Sequence, residues 1–100
     1  INVAARGLGI SLRALELSLE YAQQRSAFGK PIGHHQLIQK KITDMATRIE
    51  ASKHLILAAA RKKDSGQRAD IEAGMAKLYA TETCQRCAEE AMRIFGGIAF

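Results

Sequence analysis

The only proline of the chain, Pro31, lies between two long segments of helical apolar spacing. It belongs to the interval RSAFGKPIGHHQ, which runs from Arg25 to Gln36 and also holds two of the eight glycines. Proline removes a backbone hydrogen-bond donor and glycine tolerates turn conformations, so this interval predicts a connection between helices. Because no other proline interrupts the sequence, the rest of the chain is free to form long helices.

Apolar residues recur every three or four positions in three segments, and this spacing predicts helices over about 3–24, 34–63 and 70–95. The apolar face of the second helix consists of Ile38, Ile42, Met45, Ile49, Ser52, Ile56 and Ala59. The third helix has a face of mostly small side chains, which permits another helix to approach closely. Its members are Ala73, Ala76, Ala80, Cys84, Cys87, Ala91 and Ile94.

The ends of these helices carry capping signals. Gly66 follows the second helix and suits a left-handed C-terminal cap, whereas Asp70 suits an N-terminal cap of the third. We find no strand pattern.

The first helix carries two neighbouring apolar stripes. One consists of Leu8, Leu12, Leu15, Leu19 and Ala22, and the other of Ile10, Ala14, Leu17 and Tyr21. We expect an all-α fold, an antiparallel helical bundle in which residues 1–100 form a single partial domain. The double stripe and the small-residue face predict a further neighbour outside this chain, either a fourth helix or a partner subunit.

Charge and composition narrow the function classes. The formal charge of +5 and the pI of about 9.6 fit either an anionic partner or a basic solvated surface. Two Tyr and three Phe offer little surface for stacking bases, and no apolar run reaches the length of about 18 residues that a membrane helix needs. Cys84 and Cys87 lack two further zinc ligands at suitable spacing, so they are interpreted as structural thiols of a reducing compartment.

The interval between the first two helices has two possible interpretations, a structural turn or part of a ligand site. In one, Gly29-Lys30-Pro31 is a plain turn, Phe28 closes the bundle end and Arg25 is solvated. In the other, the Arg25 guanidinium, the Phe28 ring, the Gln36 amide and the bare backbone of Gly96 and Gly97 together suit a dinucleotide. Adjacent residues on a helix diverge by about 100°, so His34 and His35 are not expected to share a metal ion.

Two long motifs resemble the acyl-CoA dehydrogenase family. YAQQRSAFGKPIGHHQLIQKKITDMAT looks like the family pattern YAxxRxxFGxPIxxxQxIQxxLADMA, and GMAKLYATETCQRCAEEAMRIFGGIAF is similar to AMAKLxAxExAxxxxxxAxQIxGGxGY. The resemblance covers essentially the whole chain. It implies most of a C-terminal helical-bundle domain, in an enzyme that also has an N-terminal helical domain and a middle β-domain, and that is commonly a tetramer.

The resemblance also implies site residues. Arg25 matches the arginine that contacts the FAD pyrophosphate, and Phe28 matches the aromatic residue beside the cofactor. Gln36 matches the glutamine that hydrogen-bonds FAD across the subunit interface, and Gly96 and Gly97 match the pair whose backbone approaches FAD. Arg93 stands where the family usually has glutamine, a change that adds charge and removes an amide acceptor.

The chemistry implied by the resemblance is α,β-dehydrogenation of an acyl-CoA thioester in fatty acid metabolism. A glutamate removes the α-proton, the flavin accepts the β-hydride, and an electron-transferring flavoprotein usually receives the electrons. That glutamate lies outside this chain, so no catalytic residue is nominated and the isolated chain is expected to be inactive. Seven glutamates are expected to be helix-surface carboxylates: Glu16, Glu20, Glu50, Glu72, Glu82, Glu89 and Glu90.

Two other hypotheses about the function stay open. One is a stand-alone helical module that binds an acidic or nucleic-acid partner, and the other is an acyl-CoA oxidase-type relative. The hypothesis based on the family resemblance predicts no nucleic-acid partner, no membrane span and no metal. It places the protein in the cytoplasm of a bacterium or the mitochondrial matrix of a eukaryote.

Overall fold

A computed structural model describes residues 2–24, 26–27, 30–31 and 36–95. The elements are α1 (Asn2–Gln24), β1 (Ser26–Ala27), β2 (Lys30–Pro31), α2 (Gln36–Asp64) and α3 (Asp70–Phe95). The predicted helices are confirmed, with α3 matching at both ends and the other bounds within two residues. The expected all-α helical bundle is therefore correct.

The connection between α1 and α2 contains a short strand pair that the sequence analysis missed. β1 and β2 run antiparallel, with Ser26 opposite Pro31 and Ala27 opposite Lys30. Strands of two residues are too short to show the alternating apolar pattern by which strands are recognised in a sequence.

A cap ends α2 as its sequence predicts. Gly66 adopts a φ of 83°, in the left-handed region that glycine reaches without strain. Its amide donates to the Lys63 carbonyl at 3.0 Å, and the Gln67 amide donates to the Lys62 carbonyl at 3.3 Å. These two bonds form a Schellman motif, which turns the chain toward α3.

The expected cap of α3 is wrong in detail. The Ala73 amide donates to the Ala69 carbonyl at 2.8 Å, which puts Ala69 in the cap position and Asp70 in the first helical turn. The Asp70 carboxylate instead accepts from Arg68 Nη2 at 2.6 Å. An acidic residue in the first turn still interacts favourably with the helix dipole.

The helices run up, down and up, so α1 and α3 are parallel and α2 is antiparallel to both. One buried cluster joins Ala4 of α1, Ile56 of α2, and Ala76 and Ala80 of α3. A second cluster, toward the other end, joins Met45 and Ile49 of α2 to Cys87 and Ile94 of α3. The predicted buried faces of α2 and α3 are thereby confirmed.

The inward face of α1 differs from the prediction. Its buried members are small residues, at Ala4, Gly7, Ser11, Ser18 and Ala22. Of the predicted stripes, Leu8, Leu15, Ala14 and Tyr21 are half-buried, whereas Leu12, Leu19, Ile10 and Leu17 are exposed. The serines fit inside because their hydroxyls bond the helix's own carbonyls: Ser11 donates to Gly7 and Ser18 to Ala14, both at 2.8 Å.

Large apolar side chains are correspondingly exposed. On α1 they flank the buried face on both sides. On α3, Ile71, Met75 and Leu78 occupy the side of the helix opposite its core stripe, and Ile71 is 75% exposed. None of the described helices combines the length and the hydrophobicity that a membrane-spanning segment requires.

Candidate functional site

One described residue of each motif contacts the other motif at one end of the bundle. Tyr21, in the last turn of α1, contacts Phe95 at the end of α3. The ring centroids are 4.7 Å apart at 78°, an edge-to-face arrangement, and the Tyr21 hydroxyl donates to the Phe95 carbonyl at 3.4 Å. Tyr21 begins the first motif and Phe95 lies near the end of the second, so the two motifs are in contact at this end of the bundle.

Arg93 is the one predicted site residue whose side chain the structure describes. It lies in the last turn of α3, and its Nη1 donates to Glu90 Oε1 at 2.6 Å. The Arg93 side chain is 59% exposed, whereas that of Glu90 is 5% exposed. The Arg93 guanidinium therefore lies at the surface, and the buried carboxylate of Glu90 accepts a hydrogen bond from it.

Glu90 corrects the expectation that all seven glutamates are surface carboxylates. It faces α2, where Lys41 Nζ lies 3.2 Å from its Oε2, and Arg86 Nε lies 3.9 Å from its Oε1. With Arg93, three cations surround one carboxylate, which offsets much of the unfavourable desolvation. A sequence signal for this cluster existed, because Arg86, Glu90 and Arg93 follow each other at four- and three-residue spacing on one helix.

The charge cluster continues along α2. Asp44 accepts from Arg48 Nε at 3.1 Å and lies 3.7 Å from Arg86 Nε. The hydrogen bond from the Arg48 guanidinium to Asp44 raises the pKa of Arg48 above its ordinary value. Both groups are partly exposed, so this pairing orients side chains more than it stabilises the fold.

A cleft of about 330 Å³ opens between α2 and α3 over these charges. It is lined by Lys40, Lys41, Asp44, Arg86, Glu90 and Arg93. Four cations and two carboxylates leave a net charge of +2 at this mouth. Exposed lysine and arginine donors around an excess of positive charge suit an anionic ligand, and a diphosphate fits that description.

The other predicted contacts lie beyond what the structure describes. Arg25, Phe28, Gly96 and Gly97 fall outside the described residues, as do His34 and His35. Gln36 is described only as the first residue of α2. Their roles stay predictions.

The cysteines behave as structural thiols. Both are free, with Cys87 buried and Cys84 half-buried. Burial raises the pKa of the Cys87 thiol from its ordinary value of 9.0, and a hydrogen bond with Ser11 partly opposes that shift. Among the described residues, no group of three or more His, Cys, Asp or Glu side chains could hold a metal ion.

Comparisons with known proteins identify the family. All 100 residues match the model for the acyl-CoA dehydrogenase C-terminal domain. The chain is 42% identical over 100 residues to a 3-(aryl)acrylate reductase of Clostridium sporogenes, an alignment covering 100% of this chain and 26% of the relative. Two solved structures extend the likeness to three dimensions.

The structure of butyryl-CoA dehydrogenase from Megasphaera elsdenii superimposes with a TM-score of 0.95 at 42% identity, covering 98% of this chain and 26% of that one. An FAD complex of PigA superimposes with a TM-score of 0.93 at 38% identity, covering 96% and 25%. The chain belongs to the acyl-CoA dehydrogenase family and spans about a quarter of the length of these relatives.

Proposed function

We propose that the protein containing this chain is an FAD-dependent enzyme that dehydrogenates acyl-CoA thioesters between the α and β carbons. The observation that carries this proposal is the basic cleft of Arg93, at the end of the bundle where the two motifs are in contact. Family membership supports the reaction class, and the FAD complex of the structurally similar PigA supports the cofactor. Bound FAD would supply the hydride-accepting chemistry, while this chain would bind and orient it.

Each residue has a proposed role in that binding. Arg25 pairs with the diphosphate, Phe28 lies beside the cofactor, and Gln36 forms a hydrogen bond with FAD across the subunit interface. Arg93 adds a cationic contact, and Gly96 and Gly97 allow close backbone approach. The base that removes the α-proton belongs to a part of the protein outside residues 1–100, so this chain alone is inactive.

The test is cofactor retention by the full-length protein. Arg25→Ala combined with Gln36→Ala is expected to weaken FAD binding by at least about tenfold, since two hydrogen bonds to a bound ligand are removed, one of them from a charged group. Binding is measured by fluorescence titration of the flavin-free protein. Arg13→Ala, which removes an exposed arginine from α1, is the matched control.

Two results would contradict the proposal. One is a full-length protein that neither contains FAD nor takes it up, and that reduces no acceptor dye with acyl-CoA. The other is tight, salt-sensitive binding of nucleic acid by residues 1–100 alone, which favours a stand-alone module instead. In the proposed enzyme, an electron-transferring flavoprotein is the electron acceptor.

The exposed apolar side chains support a second role, in assembly. We propose that α1 and α3 are covered in a homo-oligomer, with a tetramer as the expected state. Single exposed apolar residues are common, but Ile71, Met75 and Leu78 form a continuous patch on successive turns of α3. Leu78→Glu is expected to lower the mass of the full-length assembly in light scattering, whereas the neighbouring Lys77→Glu leaves it unchanged.

A further inference from the structure

Glu90 is a charged residue in a place where the bundle packing calls for an apolar one. Only 4% of the surface of the whole residue is exposed, and Glu90 belongs to the buried face of α3, between Cys87 and Ile94. A buried carboxylate is rarely more stabilising than a well-packed apolar side chain, even when it is paired. A role beyond packing would therefore account for the carboxylate, and its partners indicate what that role is.

The two carboxylate oxygens have different partners. Oε2 lies 3.2 Å from Lys41 Nζ of α2, which ties the carboxylate to the neighbouring helix. Oε1 accepts from Arg93 Nη1 at 2.6 Å, and Arg86 Nε approaches the same oxygen at 3.9 Å. Lys41 thus fixes the carboxylate, and the fixed carboxylate in turn fixes Arg93.

An exposed arginine without such an anchor samples many rotamers. Ordering it on a ligand costs side-chain conformational entropy. The Glu90 contact engages one guanidinium nitrogen, and the other donors of the five remain for an anion. A glutamine, the residue that the family pattern has here, carries no charge and would not need a buried anion to hold it.

We propose that Glu90 is a positioning residue, which holds the Arg93 guanidinium at the mouth of the α2–α3 cleft so that its remaining donors bind a phosphate of FAD. The inference rests on the proposed function, because it takes FAD as the ligand. It adds to that function a residue that does not touch the cofactor and a reason for the arginine at position 93.

The decisive experiment is a double-mutant cycle on FAD affinity in the full-length enzyme, with Glu90→Gln and Arg93→Ala. Arg93→Ala is expected to weaken FAD binding about tenfold, because one charge-assisted contact is lost. Glu90→Gln is expected to weaken it about three- to fivefold when Arg93 is present, and to change it by less than about 1.5-fold in the Arg93→Ala background. Glu90→Asp, which keeps the charge but withdraws the oxygens by one methylene, is expected to behave as Glu90→Gln does and serves if that variant does not fold.

Two other effects of Glu90 predict different outcomes. A simple field effect would tighten FAD binding in Glu90→Gln, since a negative charge near an anionic ligand is removed. A purely structural role would weaken binding equally with and without Arg93. Either result, or no change at all, overturns the inference.

A matched control is available on α1. Arg13 and Glu16 form a pair of the same 2.6 Å length and three-residue spacing, but both side chains are exposed. Glu16→Gln is expected to leave FAD affinity unchanged. If Arg93→Ala has no effect while Arg25→Ala weakens FAD binding, the inference fails and the proposed function stands; if the wild-type protein binds no FAD, the proposed function itself fails.

Discussion

The hydroxyls of Ser52 of α2 and Thr83 of α3 form a hydrogen bond across the core, with 3.2 Å between Ser52 Oγ and Thr83 Oγ1. Both side chains are almost completely buried, and Ser52 also reaches the Arg48 carbonyl at 2.8 Å. The pair is thus a specific polar contact within an otherwise apolar helix interface. It fixes which turn of α2 lies against which turn of α3.

This contact predicts an asymmetry between two substitutions. Ser52→Ala removes one of the two hydroxyls and leaves the buried Thr83 hydroxyl without this contact, which should destabilise the protein by about 1–3 kcal/mol. Thr83→Val removes the other hydroxyl, but Ser52 keeps its hydrogen bond to the Arg48 carbonyl, so a loss below about 1 kcal/mol is expected. The thermal midpoint of the full-length protein measures both, with Thr81→Val on the exposed side as the control. Equal losses from the two core variants would contradict the assigned roles.

Two glycines of α1 should respond in opposite directions to the same change. A Cβ at Gly7 would lie 3.1 Å from the Ala80 carbonyl oxygen of α3, whereas a Cβ at Gly9 would have no neighbour within 4 Å. Gly9→Ala should stabilise the protein by up to about 1 kcal/mol through helix propensity. Gly7→Ala gains the same propensity but must push backbone apart, and a net loss of about 1 kcal/mol is expected. Denaturation midpoints that shift in the same direction would show that α1 and α3 are not in close contact at Gly7.

The contact between Lys62 and Glu72 predicts a pH-dependent contribution to stability. Lys62 Nζ lies 2.7 Å from Glu72 Oε2, and this hydrogen bond lowers the pKa of Glu72 below its ordinary value of 4.5. The unfolded chain therefore binds this proton at a higher pH than the folded one, so the contribution is present above pH 4.5 and is lost as the pH falls through the folded-state pKa.

Glu72→Gln should accordingly lower the thermal midpoint at neutral pH, and the difference from wild type should narrow as the pH is lowered below 4.5. The control is Glu82→Gln, since Glu82 has no ion pair within the part of the chain that the structure describes. A difference that stays constant across the acid range would show that the ion pair contributes nothing.

Burial of Cys87 predicts selective alkylation. Only the thiolate reacts, and the raised pKa of Cys87 keeps the thiol protonated at mildly alkaline pH. Iodoacetamide should therefore modify Cys84 first in the folded protein, and both cysteines at comparable rates in urea. Mass spectrometry of the peptides measures each site, and early labelling of Cys87 would contradict the described core.

The sequence predicted the helix positions well because helix-breaking residues separate the helical segments clearly. Pro31 lies in the connection between α1 and α2, Gly66 follows the end of α2, and the uninterrupted apolar period between these two residues indicates a helix. The inward face of α1 was harder to predict, since Gly7, Ser11 and Ser18 are buried and Leu12 is not. Periodicity ranks side chains by hydrophobicity, whereas close helix packing selects them by size.

The sequence nominates candidate site residues, but it does not show how a neighbouring helix holds them. The motifs that carry Arg25, Gln36 and Arg93 are local in sequence, and pattern matching finds them. The spacing of Arg86, Glu90 and Arg93 on α3 is visible in the sequence, but the contact of Glu90 with Lys41, almost fifty residues earlier on another helix, is not. Contacts of this kind become visible only when the helices are packed together.

This bundle buries small side chains and exposes large apolar ones, and this arrangement affects how this part of the protein is stabilised. The bundle buries alanine, glycine and serine between α1 and α3, while side chains such as Ile10 and Ile71 remain in contact with solvent. When another surface covers these side chains, the burial of their apolar area contributes to the free energy of folding. Where that surface belongs to another molecule, association and folding become linked equilibria. If a second copy of the protein supplies that surface, the melting temperature is expected to rise with protein concentration and to fall on dilution.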